Sequence, residues 1–145
     1  MGNIDHRLSF LPNLEILLIA RLLPLLLYRQ DLKACLRTIE VGSHLRFKNA
    51  PPDIICDRVL SVTRRHWFMR NRRCLRQGIL GMRYLRKAGY DPVLKFGIDK
   101  RSVSENKLSA HCWVELDGKP LINDIMEHMV VIHTVPKEEH GKSLY

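Results

Sequence analysis

The segment between residues 109 and 124 constrains the fold most, because it carries a strong β-hairpin signal. Residues 109–116 alternate in polarity and are rich in strand-forming side chains. They are followed by Asp117–Gly118, a dipeptide that favours a two-residue turn between antiparallel strands. Such a turn pairs Leu116 with Lys119 and so fixes the register of the hairpin. The sequence therefore predicts an antiparallel sheet in this half of the chain.

The predicted register places a carboxylate beside an imidazole. It pairs His111 with Asp124 on one face of the hairpin, with Cβ atoms roughly 4.5–5.5 Å apart. A carboxylate there can orient the ring and stabilise its cation, which provides two of the three parts of a nucleophilic triad. The same register pairs Asn123 with Cys112 on the opposite face, which makes Cys112 a poor nucleophile. A β-bulge would shift the pairing by one residue and bring Asn123 to His111, so Asp124 and Asn123 are both candidates for the orienting residue.

Cys74 is the predicted nucleophile. It follows the basic segment 70–73 and opens a helix predicted to run from about Cys74 to Ala88, with Gly89 as its stop. Backbone N–H groups and the helix dipole favour a thiolate at such a position, and the neighbouring arginines act in the same direction. The alternative is that Cys74 is a small buried hydrophobic residue, as most free cysteines are.

Gly78 and Gly81 lie on the same face of this predicted helix as Cys74. Each glycine costs a helix about 1 kcal/mol relative to alanine, so something should offset that cost. A missing side chain lets another backbone come close, as a strand that carries His111 must do to reach Cys74. Tight helix–sheet packing without any chemistry is the alternative, and the two readings are compatible.

The remaining periodicity predicts helices first and strands afterwards. Apolar residues at helical spacing indicate helices near 12–23, 24–39 and 53–69. The period then changes to two, which indicates strands at 92–98, 109–116, 119–125 and 128–135, with a polar loop at 100–107. This order predicts an α+β fold in which a helical N-terminal half packs on a small antiparallel sheet.

The length of 145 residues predicts a single domain. We divide it into a helical subregion (1–70), a catalytic helix with the sheet (71–136) and a tail (137–145). The stretch Leu14–Tyr28 is very apolar, but it is short for a bilayer and is interrupted by Arg21 and Pro24. We expect a buried helix that is kinked or split at Pro24, with a docking surface for a partner or a membrane as the alternative.

The net charge of +9 predicts an acidic partner or a positive field around a site. Much of this charge lies in a basic run made of Arg58, Arg64, Arg65, Arg70, Arg72, Arg73 and Arg76. With His66, Trp67 and Phe68 the run could bind nucleic acid, although no nucleic-acid-binding fold pattern accompanies it. A solvated basic face or a groove for an acidic peptide accounts for it equally well.

The four cysteines lack zinc-ligand spacing, and the N-terminus has no signal-peptide pattern. We therefore expect no metal site and free thiols in the cytoplasm. Cys35 and Cys56 fall on apolar helix faces and are expected in the core. Trp113 is expected to pack, and Glu115 to be exposed to solvent or to contact a peptide.

Three segments of this sequence are similar to parts of one family: Cys74–Tyr90, Val93–Ile98 and Ala110–Gly118. They resemble the cysteine-bearing helix, the following strand and the motif A-H-A-W-V-E-x-D-G of the lasso-peptide biosynthesis B2 proteins, which are small bacterial cysteine peptidases. The resemblance covers about residues 74–124. In two departures, Gly78 stands where relatives often have serine or alanine, and the acid comes one residue later than the family spacing.

The resemblance implies a transglutaminase-like or papain-like cysteine protease fold, with a triad of Cys74, His111 and Asp124 and without cofactor or metal. It implies removal of the leader from a ribosomally made precursor peptide, so that a separate cyclase can close the macrolactam. The chain resembles the stand-alone peptidase type, which depends on a small leader-recognition protein of the B1 type. Its implied partners are the precursor, the B1-type protein and the lasso cyclase, with no nucleic acid and no membrane span.

For the reaction, the backbone N–H of Cys74 is the first candidate donor to an oxyanion. Trp67 and Asn71 are candidates for the second. The alternative function is a catalytically idle transglutaminase-like module that binds a peptide or nucleic acid.

Overall fold

The described part of the chain folds into helices followed by a sheet. The computed structural model describes residues 11–28, 37, 50–64, 73–104 and 108–136. The helices are α1 (Leu11–Tyr28), α2 (Pro52–Arg64), α3 (Arg73–Lys87) and the short α4 (Lys100–Ser104). The strands are β1 (Val93–Asp99), β2 (Ala110–Leu116), β3 (Lys119–Ile122) and β4 (Met129–Val135).

The four strands form one antiparallel sheet in the order β3-β2-β1-β4. Helix α3 packs against β1, β2 and β3, and it also contacts α1 and α2 on its other side. The predicted α+β class, with a helical N-terminal half packed on a small antiparallel sheet, is therefore confirmed. The fold places the start of α3 beside the end of the β2–β3 hairpin.

Several predicted boundaries differ from the structure. Helix α1 continues through Pro24, so the expected split there is wrong, although the proline cannot donate a hydrogen bond to the carbonyl of Ala20. The expected loop at 100–107 begins instead with α4, and β3 ends at Ile122 rather than at 125. Arg37 is helical, as predicted. The other residues of the predicted helix 24–39 beyond Tyr28, the end of the helix predicted at 53–69 and the tail at 137–145 lie outside the described residues.

Helix α1 buries one face and exposes another. Ile16, Ala20 and Leu23 are almost completely buried, at the spacing of one helical stripe. A second stripe is exposed to solvent: Leu14, Leu18, Leu22 and Leu25. The expected buried helix is thus correct for one face only. None of the described helices combines the length and the apolar character that a bilayer crossing requires.

Helix α3 ends at a glycine, as predicted. Gly89 has a φ of 94°, a left-handed conformation that glycine adopts without strain. The N–H of Gly89 donates to the carbonyl of Arg86, and the N–H of Tyr90 donates to that of Leu85. These two bonds form a Schellman motif, which caps the helix and turns the chain into β1.

The two glycines of α3 face the sheet, as the sequence predicts. A Cβ on Gly78 would lie 2.8 Å from Cδ1 of Leu94 and 3.5 Å from Sγ of Cys112. A Cβ on Gly81 would overlap the side chain of Ile122. The absence of side chains at these positions therefore lets the helix that carries Cys74 lie close to the strand that carries His111.

Candidate active site

Cys74 lies in the first turn of α3, where the sequence places it. Its thiol is half-buried and its pKa is lowered to about 5. The largest cause is a hydrogen bond from the thiol of Cys112. The backbone N–H of Cys112 and the interaction with nearby His111 also lower the pKa, and together these effects outweigh burial, which raises it. The lowered pKa favours the thiolate form of Cys74, the form in which cysteine is a nucleophile.

Cys112 is the site residue that the sequence analysis missed. Its side chain is only 1 % exposed, on the face of β2 that meets α3. The hydrogen bond to Cys74 raises the pKa of the Cys112 thiol strongly, and burial and the charge of Cys74 raise it further. The pair thus consists of one thiolate and one thiol. The signal that could have found it is a cysteine where the family motif has alanine, next to the histidine.

The ring of His111 is held from two sides. Its Nε2 lies 3.0 Å from the backbone carbonyl oxygen of Asp124. Because a carbonyl can only accept a hydrogen bond, Nε2 carries the hydrogen and Nδ1 is the basic nitrogen of the neutral ring. The ring also stacks on Trp113, with centroids 6.3 Å apart and planes inclined by 24°. These contacts fix both the tautomer and the plane of the imidazole.

A β-bulge in the hairpin changes the predicted register. Leu116 pairs with Lys119 as predicted, but Glu115 then pairs with Pro120 and Val114 with Ile122. Leu121 is the extra residue of β3. Pro120 precedes it, and a proline is tolerated there because β3 is an edge strand, where a missing backbone N–H costs little. The prediction that His111 and Asp124 pair directly across the hairpin is therefore wrong.

Asp124 contributes its backbone rather than its carboxylate to these contacts. Its side chain is exposed and makes no hydrogen bond or ion pair with any residue that the structure describes. The alternative expectation, that a bulge would bring Asn123 to His111, is also wrong, because the bulge shifts the register in the other direction.

Asn123 instead joins the two halves of the site. Its Nδ2 donates to the backbone carbonyl of Cys74 at 3.1 Å and to that of Cys112 at 3.0 Å. The residue has a φ of 60°, which asparagine tolerates better than most residues. One amide group thus ties the start of α3 to β2, and it keeps the two cysteines together.

The buried carboxylate of Glu115 holds Trp113, the residue on which His111 stacks. Nε1 of Trp113 donates to Oε1 of Glu115 at 2.6 Å, and Nζ of Lys95 lies 2.8 Å from Oε2 of the same carboxylate. Burial raises the pKa of Glu115, but the hydrogen bonds from Lys95 and Trp113 outweigh burial and lower it overall. Glu115 is 8 % exposed, so the expectation of an exposed or peptide-contacting side chain is wrong, whereas Trp113 packs as predicted.

The structure describes four residues of the basic run, of which Arg58 is half-buried. Arg64 and Arg73 are exposed, whereas Arg76 is buried in α3 and is not part of a solvated face. Cys56 lies in the core as predicted. Several predicted residues lie outside the described part of the chain: Cys35, Arg65, His66, Trp67, Phe68, Arg70, Asn71 and Arg72. In the described ranges, no three His, Cys, Asp or Glu side chains converge in a way that could hold a metal ion.

Comparison with known families gives one assignment. The family model described as the transglutaminase-like superfamily matches residues 13–133, which include Cys74, His111 and Asp124. The chain therefore belongs to the transglutaminase-like superfamily. Comparison with curated proteins and with solved structures found no match.

Proposed function

We propose that this protein is a bacterial cysteine peptidase that removes the leader from a lasso-precursor peptide before a separate cyclase closes the macrolactam. The observation that carries the proposal is the Cys74 thiolate beside His111, whose proton is held on the far nitrogen by a carbonyl. A thiolate and a basic imidazole nitrogen are the two groups that nucleophilic catalysis by cysteine requires. The resemblance of Cys74–Tyr90 and Ala110–Gly118 to the lasso B2 proteins supports leader removal as the particular reaction.

In the proposed reaction, the sulfur of Cys74 attacks the carbonyl carbon at the leader–core junction. The backbone N–H of Cys74, in the first turn of α3 where N–H groups have no partner within the helix, donates to the oxyanion that forms. The C–N bond then breaks, and the imidazolium of His111 gives its proton to the leaving amine. His111 next removes a proton from water, which attacks the thioester and releases the leader as a carboxylic acid. This step restores the Cys74 thiolate.

The bulge supports Asp124 rather than Asn123 as the acid of the proposed triad. The family that this chain resembles has its acid one residue earlier in the sequence. In a regular hairpin, that acid lies one residue before the residue that pairs with the histidine. Leu121 adds one residue to β3, so Asp124 takes that same position although it comes one residue later in the sequence. The amide of Asn123 is already engaged by two carbonyls. We propose that the Asp124 carbonyl orients His111 and that the Asp124 carboxylate stabilises the imidazolium by its charge.

Cleavage of the precursor encoded near this gene tests the proposal, with the released leader measured by mass spectrometry. Cys74→Ala and His111→Ala should abolish cleavage, and thermal unfolding should show that both variants remain folded. Asp124→Asn keeps the backbone carbonyl and removes the charge, so it should slow cleavage about tenfold, a loss of about 1.4 kcal/mol of transition-state stabilisation. Cys56→Ala is the matched control, because Cys56 lies on α2 in the hydrophobic core and is not part of the candidate site.

Unimpaired cleavage by Cys74→Ala would end the assignment of the nucleophile. A protein that binds the precursor but never cleaves it, with or without a partner, would favour the catalytically idle module. Binding of nucleic acid by that inactive protein would favour the nucleic-acid form of the same alternative.

The partners of the proposed peptidase are also testable. We propose that a B1-type protein presents the leader and that the lasso cyclase uses the product. Because the chain carries a net charge of +9, electrostatic steering should assist an acidic leader or partner and weaken as salt screens it. Cleavage should be slow alone, faster with the partner and slower with added salt, and the exposed Arg64→Glu should weaken complex formation. Full activity without a partner, insensitive to salt, would contradict this part of the proposal.

A further inference from the structure

We propose that Cys74 and Cys112 form a peroxide-sensitive pair, in which hydrogen peroxide oxidises Cys74 and Cys112 then closes a reversible disulfide. The oxidised form would be an inactive peptidase, and in that respect the inference rests on the proposed function. The disulfide itself concerns only the two thiols and does not require the peptidase reaction.

The two side chains already lie together in the reduced protein. Both cysteines are free, and both lie where α3 packs against β2. Interaction between the two side chains is also the largest cause of the lowered pKa of Cys74. Two further contacts hold the backbone in this arrangement. Asn123 bridges the carbonyls of both residues, and Sγ of Cys112 lies 3.5 Å from the point that a Cβ on Gly78, one turn after Cys74, would occupy. A disulfide requires the two sulfur atoms to approach to about 2.05 Å, and we infer that a rotation of the Cys74 side chain brings them to that distance.

The two cysteines are suited to different steps. Cys74 is partly exposed and its pKa is lowered, which are the properties of a cysteine that peroxide attacks first. Cys112 is 1 % exposed and held as a thiol, so peroxide in solution reaches it poorly. The arrangement therefore provides one sensing cysteine and one resolving cysteine.

Formation of the disulfide needs no reactant other than the two cysteines and hydrogen peroxide. The Cys74 thiolate attacks one oxygen of hydrogen peroxide, so that an S–O bond forms, the O–O bond breaks and hydroxide leaves. The sulfur of Cys112 then attacks the sulfenic acid of Cys74, so that the S–S bond forms, the S–O bond breaks and water leaves. In total the thiolate and the thiol lose two electrons and one proton, and the peroxide becomes one hydroxide ion and one molecule of water; the hydroxide takes up a proton from the solvent.

Peptide mapping under non-reducing conditions tests the proposal without any peptidase substrate. The full-length protein is treated with one equivalent of hydrogen peroxide, and free thiols are then alkylated with iodoacetamide. We expect a cross-link between the peptides of Cys74 and Cys112, a mass lower by two hydrogen atoms, and loss of Cys74 alkylation that a dithiol reductant reverses. Cys56→Ala, the matched control, should behave like the unchanged protein.

Cys112→Ala should form no cross-link, and Cys74 should instead gain oxygen atoms that excess peroxide makes resistant to the reductant. Cys112→Ser should give the same result with a side chain of nearly unchanged size, which separates this effect from a loss of folding. Oxygen adducts on Cys74 without a cross-link in the unchanged protein would overturn the proposal, and so would a cross-link from Cys74 to Cys35 or Cys56. If the cross-link forms but the reduced protein cleaves no precursor, the proposed peptidase function fails while the redox pair stands.

Discussion

Helix α1 is the more apolar of two helices, yet helix α3 is the more deeply buried. Helix α1 is almost entirely apolar, yet it exposes a stripe of leucines and buries only one face. Helix α3 contains arginines, a glutamine and two glycines, yet nine of its fifteen residues are buried. The reason is position, because α3 lies between the sheet and the other helices whereas α1 lies on the outside.

The composition of α3 is matched to the side chains of the sheet and of α2 that pack against it. Its glycines leave room for side chains of the sheet, and its buried Gln77 donates to the hydroxyl of Thr63 on α2 at 2.9 Å. The outer leucines of α1 are exposed and meet no such constraint from the residues that the structure describes, so leucine is tolerated there. We therefore expect substitutions in α3 to affect the candidate site and its packing, and substitutions in α1 to affect stability in proportion to burial.

The largest expected effect concerns the start of α3. The rate of Cys74 alkylation should rise with pH around a midpoint near 5, rather than near the ordinary value of 9.0, because Cys112 and His111 stabilise the thiolate. Folding should also become more favourable as pH rises from about 5 towards 9, since the unfolded chain keeps a proton that the folded protein has lost, and this gain should be lost as pH falls through 5. The pH dependence is measured by peptide mapping and urea unfolding.

Variants separate the causes of that shift. Cys112→Ala should move the midpoint of Cys74 alkylation upwards more than His111→Ala does, because the hydrogen bond from Cys112 is the largest cause. Cys56, whose pKa burial raises to about 11, should remain unlabelled in the same experiment. An ordinary midpoint for Cys74 would mean that the packing of α3 serves only the fold.

The next effect compares two neighbouring leucines of α1. Leu23 is completely buried, whereas Leu22 is 55 % exposed. Leu23→Ala should lower the free energy of unfolding by about 2–5 kcal/mol, and Leu22→Ala should change it by less than about 0.5 kcal/mol. Urea denaturation of both variants measures the difference. Equal losses would indicate that the outer leucines are covered in solution.

A smaller effect is expected inside α3. Alanine normally stabilises a helix by about 1 kcal/mol relative to glycine, but a Cβ at Gly81 would overlap the fully buried Ile122. We expect Gly81→Ala to lower the free energy of unfolding by about 1–2 kcal/mol, because overpacking outweighs the gain in helix propensity. A more stable variant would contradict the view that the sheet fixes this glycine.

The smallest effect concerns the ion pair between the two helices. Nζ of Lys87 lies 2.5 Å from Oε1 of Glu15. Burial raises the pKa of Glu15, but Lys87 outweighs it and lowers the pKa overall, so the contribution is present above the unfolded pKa and lost as pH falls through the folded one. Glu15→Gln should cost about 0.5 kcal/mol near neutral pH and nothing once the carboxylate is protonated. A loss that persists in acid would point to packing instead.

Local signals predicted most of the fold. The Asp117–Gly118 turn, the helix that opens at Cys74 and its stop at Gly89 each depend on a few adjacent residues, and all three are correct. The close approach at Gly78 and Gly81 was also predictable, because glycine inside a helix needs a tertiary reason. The strand boundaries follow from a period of two and are within about three residues.

The candidate site was harder to predict, because it depends on one irregularity. A regular hairpin would join His111 to Asp124, and the bulge at Leu121 changes which atoms meet. Pro120 within a predicted strand was the available warning. The contact between Cys74 and Cys112 is a product of tertiary packing, and no spacing in the sequence indicates it. The buried Glu115 has the same origin, since its partners Trp113 and Lys95 meet only in the folded sheet.

The bulge at Leu121 also bears on how this hairpin can change length during evolution. In a regular strand pair, the loss of one residue exchanges the two faces of everything beyond it. Here we expect the loss of Leu121 to leave a regular ladder in which Val114 still faces Ile122, so that Asn123 and Asp124 keep their places. A one-residue gap at this point in an alignment is therefore a change in the strand that we expect to leave the positions of Asn123 and Asp124 unchanged.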